Sequence, residues 1–310
     1  MNLLTDHWTF DPTIFVIIFT VIAHEVGLSR LAAHSRVERT RRRRRRSYVF
    51  YGGLASLIVA VMSPIDYWAS SYFYIHMIEH IILSFATPMM IVLGAPWLPL
   101  MFALPVRVRR RVGRFFFVSS GARALRSLGR AIRNPWVALI SFNVVMVFWH
   151  LPRWFELSER NGFVHVWLMH GSFVVTGVLF WLQILPSTPV KQSKGAIWQS
   201  GAILSTNAVM TLLAMSMSFF TSVNWYPSYA HIPGVTFSPF ADQQIGAAIL
   251  WVCGDFWAVP VLNSVLRKAI ANEGSMSNVF DRLIGRATRV SPEAFHRHAA
   301  LSAEGESALD

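Results

Sequence analysis

Along this chain apolar residues gather in long blocks, and the polar stretches between them carry most of the arginine and lysine. A helix needs ~20 mainly apolar residues to cross a bilayer. The blocks predict seven such helices. The first opens at Asp11-Pro12, an N-cap followed by a proline suited to a first turn, and runs to about Leu31. The second, Tyr48 to Met62, is short and stops at Ser63-Pro64. The third covers about Ser71 to Leu93, with a brief apolar piece, Trp97 to Leu104, behind it. The fourth opens at Asn134-Pro135 and ends near His150. The fifth, sixth and seventh cover Val164 to Leu185, Ala196 to Phe220 and Asp242 to Leu266.

Charge then sets the direction of the path. The basic stretches are Arg30 to Arg46, with six consecutive arginines from Arg41 to Arg46, then Arg107 to Arg133, Lys191 with Lys194, and the residues after Arg267. Cytoplasmic loops collect lysine and arginine. A seven-helix path puts all these stretches on one side. The expectation is an all-α membrane protein, a seven-transmembrane helix bundle with its N-terminus outside and its C-terminus cytoplasmic. Residues 1–266 form the transmembrane domain and 267–310 a basic, polar cytoplasmic tail. Met1 to Phe10 lacks a basic leader and contains Asp6, which argues for a first helix that stays in the membrane.

Composition agrees with that reading. Of 310 residues 54% are hydrophobic and only 14% charged, with a mean hydropathy of +0.42. Soluble domains carry about a quarter charged residues, so a soluble fold is excluded. The net charge of +12 sits in the loops, and no aromatic-interleaved basic module accompanies it, so nucleic acid is not an expected partner. Anionic lipid at Arg41–Arg46 is. Cys253 is the single cysteine, which excludes an internal disulfide and any thiolate metal pair.

Candidate chemistry centres on His76-Met77-Ile78-Glu79-His80. Residues four apart on a helix lie about 40° apart around its axis, so both histidines share a face, with Glu79 beside them. The predicted path brings His150, His165, His170 and Asp242 to the same depth near the outer surface. Met146 lies four before His150 and Met169 four after His165, so each pair shares a face. Ionisable groups inside a membrane normally face a bundle interior and serve a function. Imidazole and thioether donors without thiolate suit copper, and imidazole with carboxylate also suits zinc. His76, His80, His150, His165 and His170 are the candidate ligands, with Glu79, Asp242, Met169 and Met146 as supporting or additional ones. Three other readings stand beside this. The sequence H-x-x-E-H is the inverted zinc-peptidase pattern. His80 and His170 could hold a b-type haem. The histidines could also simply tie helices together. His24 and Glu25 are expected to pair with each other or with Asp255.

Several blocks resemble the CtaG-type assembly factors of caa-type cytochrome c oxidase, a family of multispanning bacterial membrane proteins. They are His76-Met77 with His80 and then Leu93-Gly94-Ala95-Pro96; Trp149-His150-Leu151-Pro152; His165 and His170 followed by Phe173, Gly177, Phe180 and Trp181; and Asp242-Gln243-Gln244 with Gly246 and Trp251. The resemblance covers about Asp66 to Gly254. It implies a non-enzymatic protein of the bacterial inner membrane that helps build a haem-copper oxidase, plausible partners being oxidase subunits or copper chaperones, and copper as its cargo. The chain departs from the pattern at Glu79, where glutamine is common, at Met169, and at Cys253-Gly254-Asp255.

Overall fold

The computed structural model describes residues 6–230 and 238–273. Twelve α-helices are formed among them. They are α1 Thr13–Ala32, α2 Val37–Met62, α3 Pro64–Ala69, α4 Phe73–Gly94, α5 Trp97–Ala103, α6 Val106–Val118, α7 Arg123–Ile132, α8 Pro135–His150, α9 Pro152–Arg160, α10 Val164–Ile184, α11 Ala196–Ser218 and α12 Pro239–Glu273. No strand occurs among the described residues. Five helices are long and apolar enough to cross a membrane: α1, α4, α10, α11 and α12. A sixth results if α8 and the segment Ser120–Ile132 before it, bent at 73°, count as one span. The second predicted span is the apolar part of α2, a single 26-residue helix that begins before the arginine run and contains it. The fourth predicted span is the 16-residue α8.

Side-chain capping marks several helix starts. Asn134 accepts the Trp136 amide at 2.9 Å ahead of Pro135, and Ser63 accepts that of Ile65 at 3.1 Å beside Pro64. Asp11 does the same for Thr13 at 2.7 Å. The end of α4 is irregular: Ala95 adopts a left-handed conformation, φ 49°, before Pro96. Helices α4 and α10 each contain a π-helical stretch, Ile82–Ala86 and Val164–His170.

The described residues form two compact units, the first ending at Pro260 inside α12 and the second starting at Val261. In the second unit the described residues continue α12 to Glu273, so the first part of the expected tail is helical; residues 274–310 of that tail and His231 lie outside the described residues. In the first unit the core is aromatic. Phe142 stacks on Phe180 at 4.8 Å, Phe85 on Trp257 at 4.8 Å, and Trp181 closes on Trp257 at 5.3 Å. A second aromatic group, Phe73, Phe155, Tyr226 and Tyr229, sits where α4 begins.

Close packing of α10 on α4 depends on Gly177. A Cβ there would stand 2.7 Å from Pro88 Cγ and 2.8 Å from Ser84 O. Gly177→Ala should therefore lower stability by about 1–3 kcal/mol, read as a lower thermal midpoint in detergent.

Candidate metal centre

The first part of the site is α4. Its N-terminus is capped from far along the chain: Asp242, in the first turn of α12, accepts the Phe73 amide at 2.8 Å and the Tyr74 amide at 3.0 Å. Both oxygens are thereby engaged with orphan helix donors. One turn on, His76, Glu79 and His80 are 0%, 0% and 1% exposed. The Tyr229 hydroxyl donates to Ala69 O at 2.8 Å, so it accepts from His76 Nδ1 at 3.0 Å. That leaves His76 Nε2 with a lone pair, 2.7 Å from His80 Nε2. The two imidazoles thus converge tip to tip.

The second part is α10. Residues five apart on a regular α-helix lie about 140° apart around the axis, so His165 and His170 would diverge. The π-helical turn Val164–His170 widens the spiral and puts both on one side. Their ring centroids are 4.4 Å apart. Asn161 caps this turn, accepting the Phe163 and Val164 amides at 3.0 and 3.2 Å. His170 Nε2 comes within 3.3 Å of Glu79 Oε1. One ligand atom from each of His76, Glu79, His165 and His170 lies within 4.8 Å of the other three.

Helix α9 supplies what the spacing of histidines did not reveal. Leu151-Pro152 ends α8 and starts α9, which turns back over the histidines. Glu156 ties it to the Pro227–Tyr229 turn by accepting the Ser228 amide at 3.0 Å and hydroxyl at 2.8 Å. Glu159 Oε1 then stands 3.3 Å from His165 Nδ1 and 3.6 Å from His76 Nδ1. Burial pushes the Glu159 carboxyl up, but His165 and His76 outweigh it and hold it below its ordinary value of 4.5. Phe155 walls the cluster beside His76 at 4.9 Å, and Phe173 beside His80 at 4.6 Å. A cavity of about 310 Å³ opens against this edge, lined by Thr9, Asp66, Tyr67, Ala69, Ser70, Glu159 and His165. Burial raises the Asp66 carboxyl there, partly offset by the Thr9 hydroxyl donating to it at 2.7 Å.

The remaining sequence candidates fall around this group. His80 touches it through His76 but lies outside the four-residue set. The His150 ring is 5.3 Å from that of His80. Its Nδ1–H donates to Met146 O at 2.6 Å, so the pair four apart meets through the backbone, and its Nε2 is buried without a hydrogen-bond partner. Met146 and Met169 are buried nearby along their helices. Asp242 acts on α4 rather than on an imidazole. His24 bonds Tyr51 at 2.8 Å, Glu25 pairs with Arg44 and Tyr51, and Asp255 accepts from Asn207, so the three do not pair among themselves.

The donors suit a cation. Both Glu79 oxygens, both His170 nitrogens and His80 Nδ1 are buried with no hydrogen-bond partner. Three imidazoles and a carboxylate, without thiolate, form a set that copper(II) and zinc both accept. This is a helical, multi-pass type of membrane protein with a buried histidine–carboxylate centre.

The chain belongs to the family of cytochrome c oxidase caa3 assembly factors (Caa3_CtaG), whose model matches residues 27–271. It is also 25% identical over 239 residues to "Uncharacterized protein Mb0105" of Mycobacterium bovis and to "Uncharacterized protein MT0111" of Mycobacterium tuberculosis. Each match takes in 74% of this chain and 35% of the relative, so the chain spans about a third of their length. No solved structure matches.

Two outcomes test the site's framework. Tyr229→Phe strips a buried carbonyl and imidazole of their partner and should cost about 1–3 kcal/mol, read by thermal unfolding. Because the folded Glu159 value is depressed, its contribution is complete above 4.5 and lost as pH falls below it. The midpoints of wild type and Glu159→Gln should therefore converge on acidification.

Proposed function

We propose that this protein assists assembly of a haem-copper oxidase by holding copper at His76, Glu79, His165 and His170 and passing it to an oxidase subunit. His80 and His150 complete the imidazole shell. The single observation that carries the reading is Glu79: a 0% exposed carboxylate, at ion-pair distance from His170 and without any hydrogen bond. Removing a carboxylate from water costs several kcal/mol even after relaxation. A cation held among three imidazoles would offset that cost. Family membership supports the oxidase as the destination. The role is carrier rather than enzyme, in a bacterial inner membrane.

In this reading the chain crosses the membrane seven times. The apolar part of α2 and the bent α7–α8 pair add to the five long spans, with the arginine-rich ends cytoplasmic and the centre outside. Copper chaperones would then supply the ion. Arg41–Arg46 would meet anionic lipid, although Arg43, Arg44 and Arg46 also bond Ser35, Glu25 and Thr188.

Zinc is the second reading, since the same donors accept it and H-x-x-E-H is a zinc-peptidase pattern. Haem has less support, because His80 Nε2 faces His76 at 2.7 Å rather than a gap wide enough for a macrocycle. Protein purified after growth with copper should retain copper stoichiometrically by elemental analysis and show no Soret band. His76→Ala with His80→Ala should abolish retention. Wild-type protein without copper would overturn the proposal, and peptidase activity lost in Glu79→Gln would favour the zinc enzyme.

A further inference from the structure

We infer that the cation reaches the buried centre through a first station formed by Glu159 and His165 and entered from the cavity beside Asp66; this rests on the copper-carrier reading above. The residues form a gradient of exposure. Asp66 and Glu159 line the cavity together, Glu159 and His165 side chains are 12% and 19% exposed, and His76 and Glu79 beyond them are 0% exposed. His165 is the one residue shared by the cavity lining and the four-residue centre. Glu159 Oε1 lies between His165 Nδ1 at 3.3 Å and His76 Nδ1 at 3.6 Å, and it is buried with no hydrogen-bond partner.

The physical reason for such a station is desolvation. An ion taken directly from water into the centre would lose its hydration before its charge was compensated, a penalty that burial in a low-dielectric interior makes steep. Glu159 meets it at the cavity floor with a negative charge, and His165 replaces one water with a ring nitrogen. Ligands then exchange one at a time: His165 keeps hold while Glu79, His170 and His76 Nε2 take over from Glu159 and the remaining waters. Asp66 adds a second carboxyl to the cavity, and a cleft lined by one sign of charge raises the local concentration of the opposite ion. Glu159 is therefore a positioning carboxylate for entry and exit, distinct from Glu79, which holds the ion at rest.

Loading kinetics test this. Apo protein in detergent is mixed with glycine-buffered copper(II), uptake is followed by quenching of tryptophan fluorescence, and retained copper is measured after desalting at the end point. Glu159→Gln should slow loading by about ten- to a hundred-fold while the copper retained at the end point stays close to wild type. Glu79→Gln should lose retained copper. Asp66→Asn, on the cavity wall and outside the centre, should slow loading to a smaller extent. Wild-type loading rate in Glu159→Gln would overturn the inference. So would loss of retained copper in that variant, which would make Glu159 a permanent ligand. Should Glu159→Gln fail to fold, Asp66→Asn decides, and an unchanged rate there overturns the inference. A wild-type protein that retains no copper would sink the carrier reading itself, an outcome distinct from failure of the entry station alone.

Discussion

One carboxylate that water cannot reach governs the end of the bundle where α4 begins. Glu79 is enclosed by His76, His165 and His170 on two helices, and none of its oxygens has a hydrogen bond. A buried carboxyl group without a hydrogen-bond partner is costly unless something compensates it. The surroundings are built to hold that arrangement rather than relax it. Asp242 fixes the first turn of α4, Tyr229 fixes the His76 ring, and Gly246 lets α12 approach so closely that a Cβ would stand 2.6 Å from the Phe73 ring. Tyr226, donating to His150 O at 2.8 Å, pins the end of α8 to the same cluster.

The cluster lies between two aromatic layers. Phe73, Phe155 and Tyr226 interlock on one side, while Phe173 closes the other beneath His80. These rings exclude water, so the polar groups between them interact with little dielectric screening and therefore strongly. The edge at Glu159 and His165 opens to a cavity. The same enclosure that makes the donors attractive to a cation also restricts the direction from which one can arrive.

Much of this was legible in the sequence, and the limits have physical causes. The apolar blocks locate every long helix, and the cap-and-proline pairs locate the starts of α1 and α8, while Ser63-Pro64, which reads as a stop, also starts α3. Three of the four members of the centre stand among the sequence's candidate ligands, and Glu79 among the supporting residues. What pattern alone could not supply was tertiary. Asp242 reads as a ligand because it is acidic and at the right depth, yet it caps a helix 169 residues away in the chain. Glu159 sits in what reads as a short loop of mixed charge, from which it could serve as a ligand only by folding back over the bundle. Its helix, started by Pro152 and bound through Glu156 to Ser228, becomes a cover only once two distant loops meet. Met169 follows His165 by four and reads as a partner on an α-helical wheel; the π-helical turn brings His170, five on, to the same side as well.

That turn has a wider meaning for reading such sequences. Helical wheels assume a fixed angular step, and with it a five-residue interval registers as noise. Where the backbone inserts an additional residue into one coil, the same interval becomes an alignment, and the local unwinding is recorded in the primary structure as a spacing. In this chain the interval from His165 to His170 falls where the coil widens, a spacing that regular periodicity searches are built to overlook.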